Sequence, residues 1–328
     1  MKLNQVKTAI SFAYKAGLNV MLSGAPGIGK TTMAREVADE LNLKLVQIAA
    51  PLVDLLDLKG ALSVQDGKAQ FLPLNMWPKE TDAPVLVLID ELPQAVPAIQ
   101  NGFSQLLIDN QMSELTLPEG SMVVATGNRL EDKAATHRMP SHITNRVVHI
   151  TLDTDHDSWL DWALENGVHP MIAGFAKWRP ELLYTFDAAT AHKPYATYRS
   201  WMQADALLKT NPPESLRYDL IRGVLGEDVA IEFSAFWKLY SKLPDIDQIF
   251  ANPESADVPN EASTLYALAS AMASKVGPKT YKPYFDYVNR MPTEFAVMSV
   301  KLAAKMNKGL TSCKPFTAWA IKHRDVIL

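Results

Sequence analysis

The segment Gly24-Ala25-Pro26-Gly27-Ile28-Gly29-Lys30-Thr31 most narrows what this 328-residue chain can fold into. It fits the pattern G-x-x-x-x-G-K-[ST], which needs a strand in front of it and a helix behind. Leu18–Ser23 is a short β-rich apolar run, and Thr31–Leu41 carries Ala34, Val37, Ala38 and Leu41 at helical spacing. A glycine-rich surface turn would account for the string but not for its flanks. Glycines let the backbone wrap a phosphate without Cβ clashes. The N–H groups of the wrap and of the helix start form a nest for an anion. Lys30 adds a full positive charge near the β- and γ-phosphates, and Thr31 offers a hydroxyl to Mg²⁺.

Four further runs read as strands: Lys44–Ala49, Val85–Ile89, Met122–Thr126 and Val147–Leu152. Helical patterns, such as Ala98–Ile108 opened by Pro97, lie between them. Alternating strands and helices imply a parallel five-stranded sheet covered on both faces, an α/β P-loop NTPase sandwich over residues 1–152. Asp109–Leu117 reads as a turn or short hairpin. From 153 to 328 the strand signal fades. Asp157 is a candidate cap for a helix carrying Trp159, Leu160, Ala163 and Leu164. Helical spacing returns at Trp201–Leu208, Leu216–Val224, Val229–Tyr240, Ala262–Ala273 and Phe295–Met306, with a proline-bearing loop expected at Pro244–Pro259. This half is expected to be all-α.

A phosphate loop alone does not hydrolyse ATP; a carboxylate must hold Mg²⁺ and another group must position water. Val85–Ile89 is apolar at every position and ends in Asp90-Glu91. Ligands sit at the carboxyl ends of strands in open α/β sheets, so Asp90 is expected on the metal and Glu91 on the attacking water. Met122–Thr126 leads through Gly127 to Asn128, an amide able to bond the water or the γ-phosphate. Arg146 precedes the fifth strand; its planar, always-charged fork suits a transferring phosphoryl group, and Arg138 is the alternative. Arg199 sits near a predicted helix start, where a cation opposes the macrodipole. That misfit points to a nucleotide contact.

Composition trims the alternatives. With 48% hydrophobic and 21% charged residues the chain suits an ordinary globular protein. A net charge of −4 supplies no global attraction for nucleic acid. The single cysteine, Cys313, rules out an intrachain disulfide and fits a reducing cytoplasm. With no signal-peptide core in Met1–Lys7 and no membrane-length apolar run, the expected location is cytoplasmic. The scattered histidines form no zinc motif, and no G-x-S-x-G occurs. A small-molecule kinase would also use a phosphate loop, but Asp90-Glu91 followed by Asn128 suits hydrolysis better. No N-K-x-D motif reads a guanine.

In this order, the acidic strand, the Asn strand, the strand-preceding Arg and the Tyr198-Arg199-Ser200-Trp201 helix start resemble the AAA+ superfamily, and within it the MoxR group, related to CbbQ/GvpN-type ATPases. The likeness rests on Gly24–Thr32, Leu88–Ala95, Leu117–Gly120, Ala125–Arg129, Met139-Pro140 to Asn145-Arg146, and Arg199–Trp201, and covers residues 18–208. It implies that Gly24 to Thr32, with Lys30 and Thr31, are Walker A. It makes Asp90 and Glu91 Walker B, Asn128 sensor 1, Arg146 a finger reaching a neighbour's ATP, and Arg199 sensor 2. Many relatives have Phe after the finger Arg, where this chain has Val147. The resemblance further implies a homo-oligomeric hexameric ring that remodels a partner, often one with a von Willebrand A domain. An AAA+ helicase loader or other DNA-handling ATPase is the competing expectation. Gly60–Phe71 holds the hairpin turn signal Asp66-Gly67; in similar proteins such a hairpin faces the ring pore, making Lys68 or Phe71 candidate partner contacts.

Overall fold

The structure is a computed structural model that describes residues 1–65, 67–132 and 136–324. The chain divides into two compact units, Met1–Asp155 with Asp187–Ala189, and His156–Phe186 with Thr190–Leu328.

The first unit runs α1 (Leu3–Lys15), β1 (Val20–Gly24), α2 (Lys30–Glu40), β2 (Lys44–Ala49), α3 (Leu55–Lys59), β3 (Ala61–Gln65) and β4 (Lys68–Leu72). It continues with β5 (Val85–Asp90), α4 (Pro97–Gly102), α5 (Ser104–Asp109), β6 (Gln111–Met112), β7 (Leu115–Thr116), β8 (Met122–Gly127), α6 (Ser141–Thr144) and β9 (Val148–Leu152). Five strands form one parallel sheet in the order β2-β5-β8-β1-β9. All residues of β8 are buried, as is β5 up to Ile89, so their near-continuous apolar sequences are those of strands covered on both faces. The edge strand β9 alternates instead, burying Ile150 and Leu152 and exposing His149 and Thr151, while the other edge strand, β2, buries only Ile48 and exposes Lys44 and Gln47. The five sequence-derived strands are found with ends shifted by at most two residues.

The expected helix Ala98–Ile108 is two helices. Gly102, a poor helix former, ends the first. Phe103 between them is fully buried. The hairpin expected within Asp109–Leu117 is β6–β7, and β3 pairs antiparallel with β4. Asp66 of the expected turn lies outside the described residues. The helix α1, which buries Val6, Ile10 and Ala13, had no counterpart in the sequence reading.

The second unit is helical among the described residues: α7 (His156–Glu165), α8 (Pro170–Trp178), α9 (Tyr198–Lys209), α10 (Glu214–Leu225), α11 (Glu227–Tyr240), α12 (Ile246–Ala251), α13 (Ala262–Lys275), α14 (Tyr281–Val288), α15 (Thr293–Met306) and α16 (Lys314–Lys322). Its core is aromatic. The Phe175 ring lies 5.1–6.0 Å from those of Trp178, Trp201, Phe233 and Phe236, mostly edge to face. Burial pushes the Tyr240 phenol up to about 12.

Two expectations fail here. Asp157 lies inside the first turn of α7 and is not its cap. The expected loop Pro244–Pro259 contains α12, where Asp245 accepts from the Asp247 N–H at 3.0 Å and Ile246, Ile249 and Phe250 are buried. The prolines at 244, 253 and 259 flank that helix rather than preventing it. No described helix is long and apolar enough to cross a membrane.

Candidate nucleotide and metal site

The sheet register levels the carboxyl ends of the inner strands. Ser23 lies opposite Gly127, Ile89 opposite Ala125 and Ala49 opposite Asp90. The glycine-rich loop, Asp90-Glu91 and Asn128 therefore leave the sheet along one edge.

Lys30 Nζ donates to the carbonyls of Gly24 (2.8 Å) and Ala25 (2.9 Å) and to Asn128 Oδ1 (2.8 Å). A cation at the start of α2 is thus tied to the residue that follows β8. Gly29, at the N-cap of α2, has φ 99°, a left-handed conformation open to glycine and strained for other residues. The first turn of α2 holds no acidic residue and no side chain caps it, which suits an anion at this positive helix end.

Thr31 and Asp90 meet side by side. Thr31 Oγ1 lies 3.1 and 3.0 Å from the two Asp90 carboxylate oxygens. Gln47 Nε2 donates to Asp90 Oδ2 at 3.3 Å and Gln47 Oε1 accepts from Arg35 Nη2 at 2.6 Å. The Thr126 hydroxyl donates to Asp90 Oδ1 and accepts from the Glu91 N–H at 3.2 Å. Glu91 has an exposed side chain and a left-handed backbone, φ 59° and ψ 36°. The other non-glycine residues with positive φ among those described are Asn and Ser, which tolerate it in turns. A glutamate held there is a local strain of the kind that collects at functional sites.

These residues fit Mg²⁺ bound together with a nucleotide. Thr31 and Asp90 present hard oxygen donors at one point. No cluster of three or more His, Cys, Asp or Glu among the described residues would enclose a metal by protein alone. Mg²⁺ asks for little more, since it takes one or two carboxylates and fills the rest of its octahedron with phosphate oxygens and water.

The structure thus joins Lys30, Thr31, Asp90 and Asn128 by hydrogen bonds and sets Glu91 next to them. It does not join the arginines to them. Arg146 is exposed and, among the described residues, its side chain hydrogen-bonds only the His142 carbonyl, at 3.4 Å. Arg138 is exposed, without a hydrogen bond or ion pair among the described residues, and lines a cleft of about 840 Å³ with Asn128, Ser23 and His149. Arg199, in the helical unit, is the second residue of α9, exposed beyond the Thr197 cap. Sequence reasoning overlooked Gln47 and the role of Thr126. Their relevance follows from β2, β5 and β8 being neighbours, which spacing along the chain does not reveal. On the β3–β4 hairpin Lys68 is exposed and Phe71 half-buried, while the apolar Leu62 and Val64 are 68% and 71% exposed.

Comparison with protein families finds that residues 20–147 match the model described as "ATPase family associated with various cellular activities (AAA)". That match lies on the segment that builds the site, which is that of a P-loop ATPase using ATP and Mg²⁺. No match is found among curated proteins. Solved structures similar in fold include RuvB of Thermotoga maritima, a Holliday junction branch migration motor, at 18% identity over 86% of this chain and 85% of that one, with a TM-score of 0.37. NtrX from Brucella abortus in complex with ADP is another, at 14% identity over 99% of this chain and 68% of that one, with a TM-score of 0.36.

Proposed function

We propose that this ATPase works as a MoxR-like hexameric ring whose turnover of ATP remodels a protein partner, with a von Willebrand A domain protein as the expected client. In this reading residues 1–152 bind and hydrolyse the nucleotide, and residues 153–328 form a lid and helical appendage. The observation that carries the hydrolytic part is the bonding of Lys30 to Asn128 and of Thr31 to Asp90, which brings three strand ends to one point.

The amides of Gly24 to Thr32 and the Lys30 ammonium bind and orient the β- and γ-phosphates. Thr31 and Asp90 hold Mg²⁺, which when bound neutralises phosphate charge. Glu91, one residue beyond Asp90 and open to solvent, accepts a proton from the attacking water as its oxygen bonds to the γ-phosphorus and ADP leaves. Asn128 Oδ1 orients that water or the Lys30 ammonium. General base catalysis of this kind is worth about 10²–10⁴ in rate.

Arg146 supports the ring. Exposed, and held by one long hydrogen bond among the described residues, it is available to a neighbour's γ-phosphate. Arg138 shares a cleft with its own chain's Asn128, which favours Arg146 as the finger acting in trans. Arg199 reports on the nucleotide from the lid. The exposed Leu62, Val64 and Lys68 give the β3–β4 hairpin a surface for the partner, in place of the half-buried Phe71.

Mixing Arg146→Ala with Glu91→Gln tests the reading. Each alone should be nearly inactive, and mixed rings should regain turnover because an intact Arg146 meets an intact Glu91. No rescue at any ratio, with co-assembly verified by native mass spectrometry, would contradict a shared site. Strong stimulation by single-stranded DNA would redirect the function towards DNA handling.

A further inference from the structure

We infer that Thr126 is a positioning residue that locks the metal-holding carboxylate of Asp90 and the main chain of Glu91 into one geometry, so that occupancy of the metal site and readiness of the base are set by a single hydroxyl. The inference rests on the roles proposed above for Asp90 and Glu91.

Thr126 is fully buried on β8, next to β5 in the sheet. Its hydroxyl has one proton and lone pairs, and its surroundings leave one way to use them. A carboxylate can only accept, so the proton goes to Asp90 Oδ1. A backbone N–H can only donate, so the lone pair takes the Glu91 N–H at 3.2 Å. One oxygen therefore bridges two consecutive residues with different tasks, through the side chain of the first and the main chain of the second.

Both partners need the restraint. Asp90 is pulled from several sides, by Thr31 on both oxygens and by Gln47 on Oδ2. The Thr126 bond to Oδ1 selects the rotamer that keeps the carboxylate against Thr31. Glu91 sits at φ 59°, a conformation that an L-residue leaves unless it is held. The segment is also pressed onto β8 from the far side, where a Cβ on Gly127 would fall 2.4 Å from Pro93 Cδ and Cγ. Thr126 and Gly127 thus clamp residues 90–93 from adjacent positions. A purely structural threonine in a parallel strand has no need of the hydroxyl, since valine has the same shape and greater strand preference.

Thr126→Val removes the hydroxyl at nearly constant volume, and Thr126→Ser restores it. In the full-length protein, Thr126→Val should lower kcat by about 10–100-fold, the usual loss when a group orienting a metal ligand is removed. KM for ATP should change little. Without turnover, the Mg²⁺ concentration that half-saturates binding of a fluorescent ADP analogue should rise by about the same factor, whereas binding measured in EDTA should be unchanged. Thr126→Ser should recover most of both properties. Wild-type kcat and Mg²⁺ dependence in Thr126→Val would overturn the inference. So would equal loss in Thr126→Ser and Thr126→Val, or a loss of EDTA binding that matches the loss with Mg²⁺. Glu91→Gln and Asp90→Asn, measured in parallel, separate the failures. If they turn over normally the site assignment itself is wrong; if they are dead while Thr126→Val is normal, only the clamp is.

Discussion

The two units pair polar groups for different purposes. In the sheet unit, Lys30, Asn128, Thr31, Asp90 and Thr126 bond to one another at a strand edge, beside a glutamate in a strained conformation. In the helical unit the interior is filled by aromatic rings, and its polar bonds close on structure. The Tyr284 hydroxyl meets Ser299 at 2.9 Å, and Asp205 accepts from the His169 N–H at 2.7 Å and from Lys209 at 2.6 Å. The contrast teaches that polar pairing marks chemistry when the groups converge on an open edge and one of them is held against its preference. Where polar groups pair within the packing, as at Tyr284–Ser299, they mark stability.

Glu91→Gln gives the largest effect expected from that contrast. It should cut kcat by about a thousand-fold, leave nucleotide affinity within a few-fold of wild type and leave the melting temperature unchanged. Turnover near wild type by phosphate release would break the comparison at its active end. Next is Phe175→Ala, which removes a ring that four others touch and should cost about 3–5 kcal/mol by denaturant unfolding. Nucleotide binding by the sheet unit should survive wherever the helical unit stays folded, and an unchanged unfolding midpoint would deny the aromatic core its role. A smaller change is expected of Thr197→Ala. Thr197 caps α9, accepting from the Ser200 N–H at 3.2 Å, and Arg199 stands inside that first turn. Losing the cap should cost about 1 kcal/mol. If Arg199 serves the nucleotide, the change should also lower kcat more than loss of an ordinary cap explains; kinetics alongside calorimetry distinguish the two.

The smallest effect is a pH dependence of the helical unit. Burial lowers the pKa of His169 below its ordinary 6.5; nearby Asp205 opposes this and Lys209 adds to it. The neutral ring accepts from the Met171 N–H at 3.1 Å as the cap of α8. As pH falls through 6.5 the unfolded chain takes up the proton before the folded one. Stability is therefore full above 6.5 and declines below it until the folded ring also protonates. His169→Asn keeps a capping acceptor without a titrating group and should flatten that decline in thermal melts taken between about pH 7.5 and 5.5. An identical decline in both proteins would assign the effect elsewhere.

The difference between the units also governs how much the sequence discloses. Phosphate chemistry demands Gly29 at positive φ and Lys30-Thr31 at fixed spacing, so the loop is legible as a string. Strands buried on both faces, such as β5 and β8, are legible as unbroken apolar runs. Gln47 and Thr126 are not, because their relation to Asp90 is set by which strands are neighbours. In the helical unit α12 hides behind prolines at 244, 253 and 259, and its evidence is six residues with one capping aspartate. The short helix α8 opens on proline and is apolar almost all round, which weakens the 3.6-residue period that helix recognition depends on.

The central claim is that the loop from Gly24 to Thr32 holds a triphosphate against a metal ion anchored by Thr31 and Asp90. A crystal structure of Glu91→Gln grown with ATP and Mg²⁺ tests it most directly. The account predicts β- and γ-phosphates within hydrogen-bonding distance of Lys30 and the loop amides, and Mg²⁺ bound to Thr31 Oγ1 with Asp90 in its first or second coordination sphere. Nucleotide bound elsewhere, or a metal ion remote from Asp90, would contradict it.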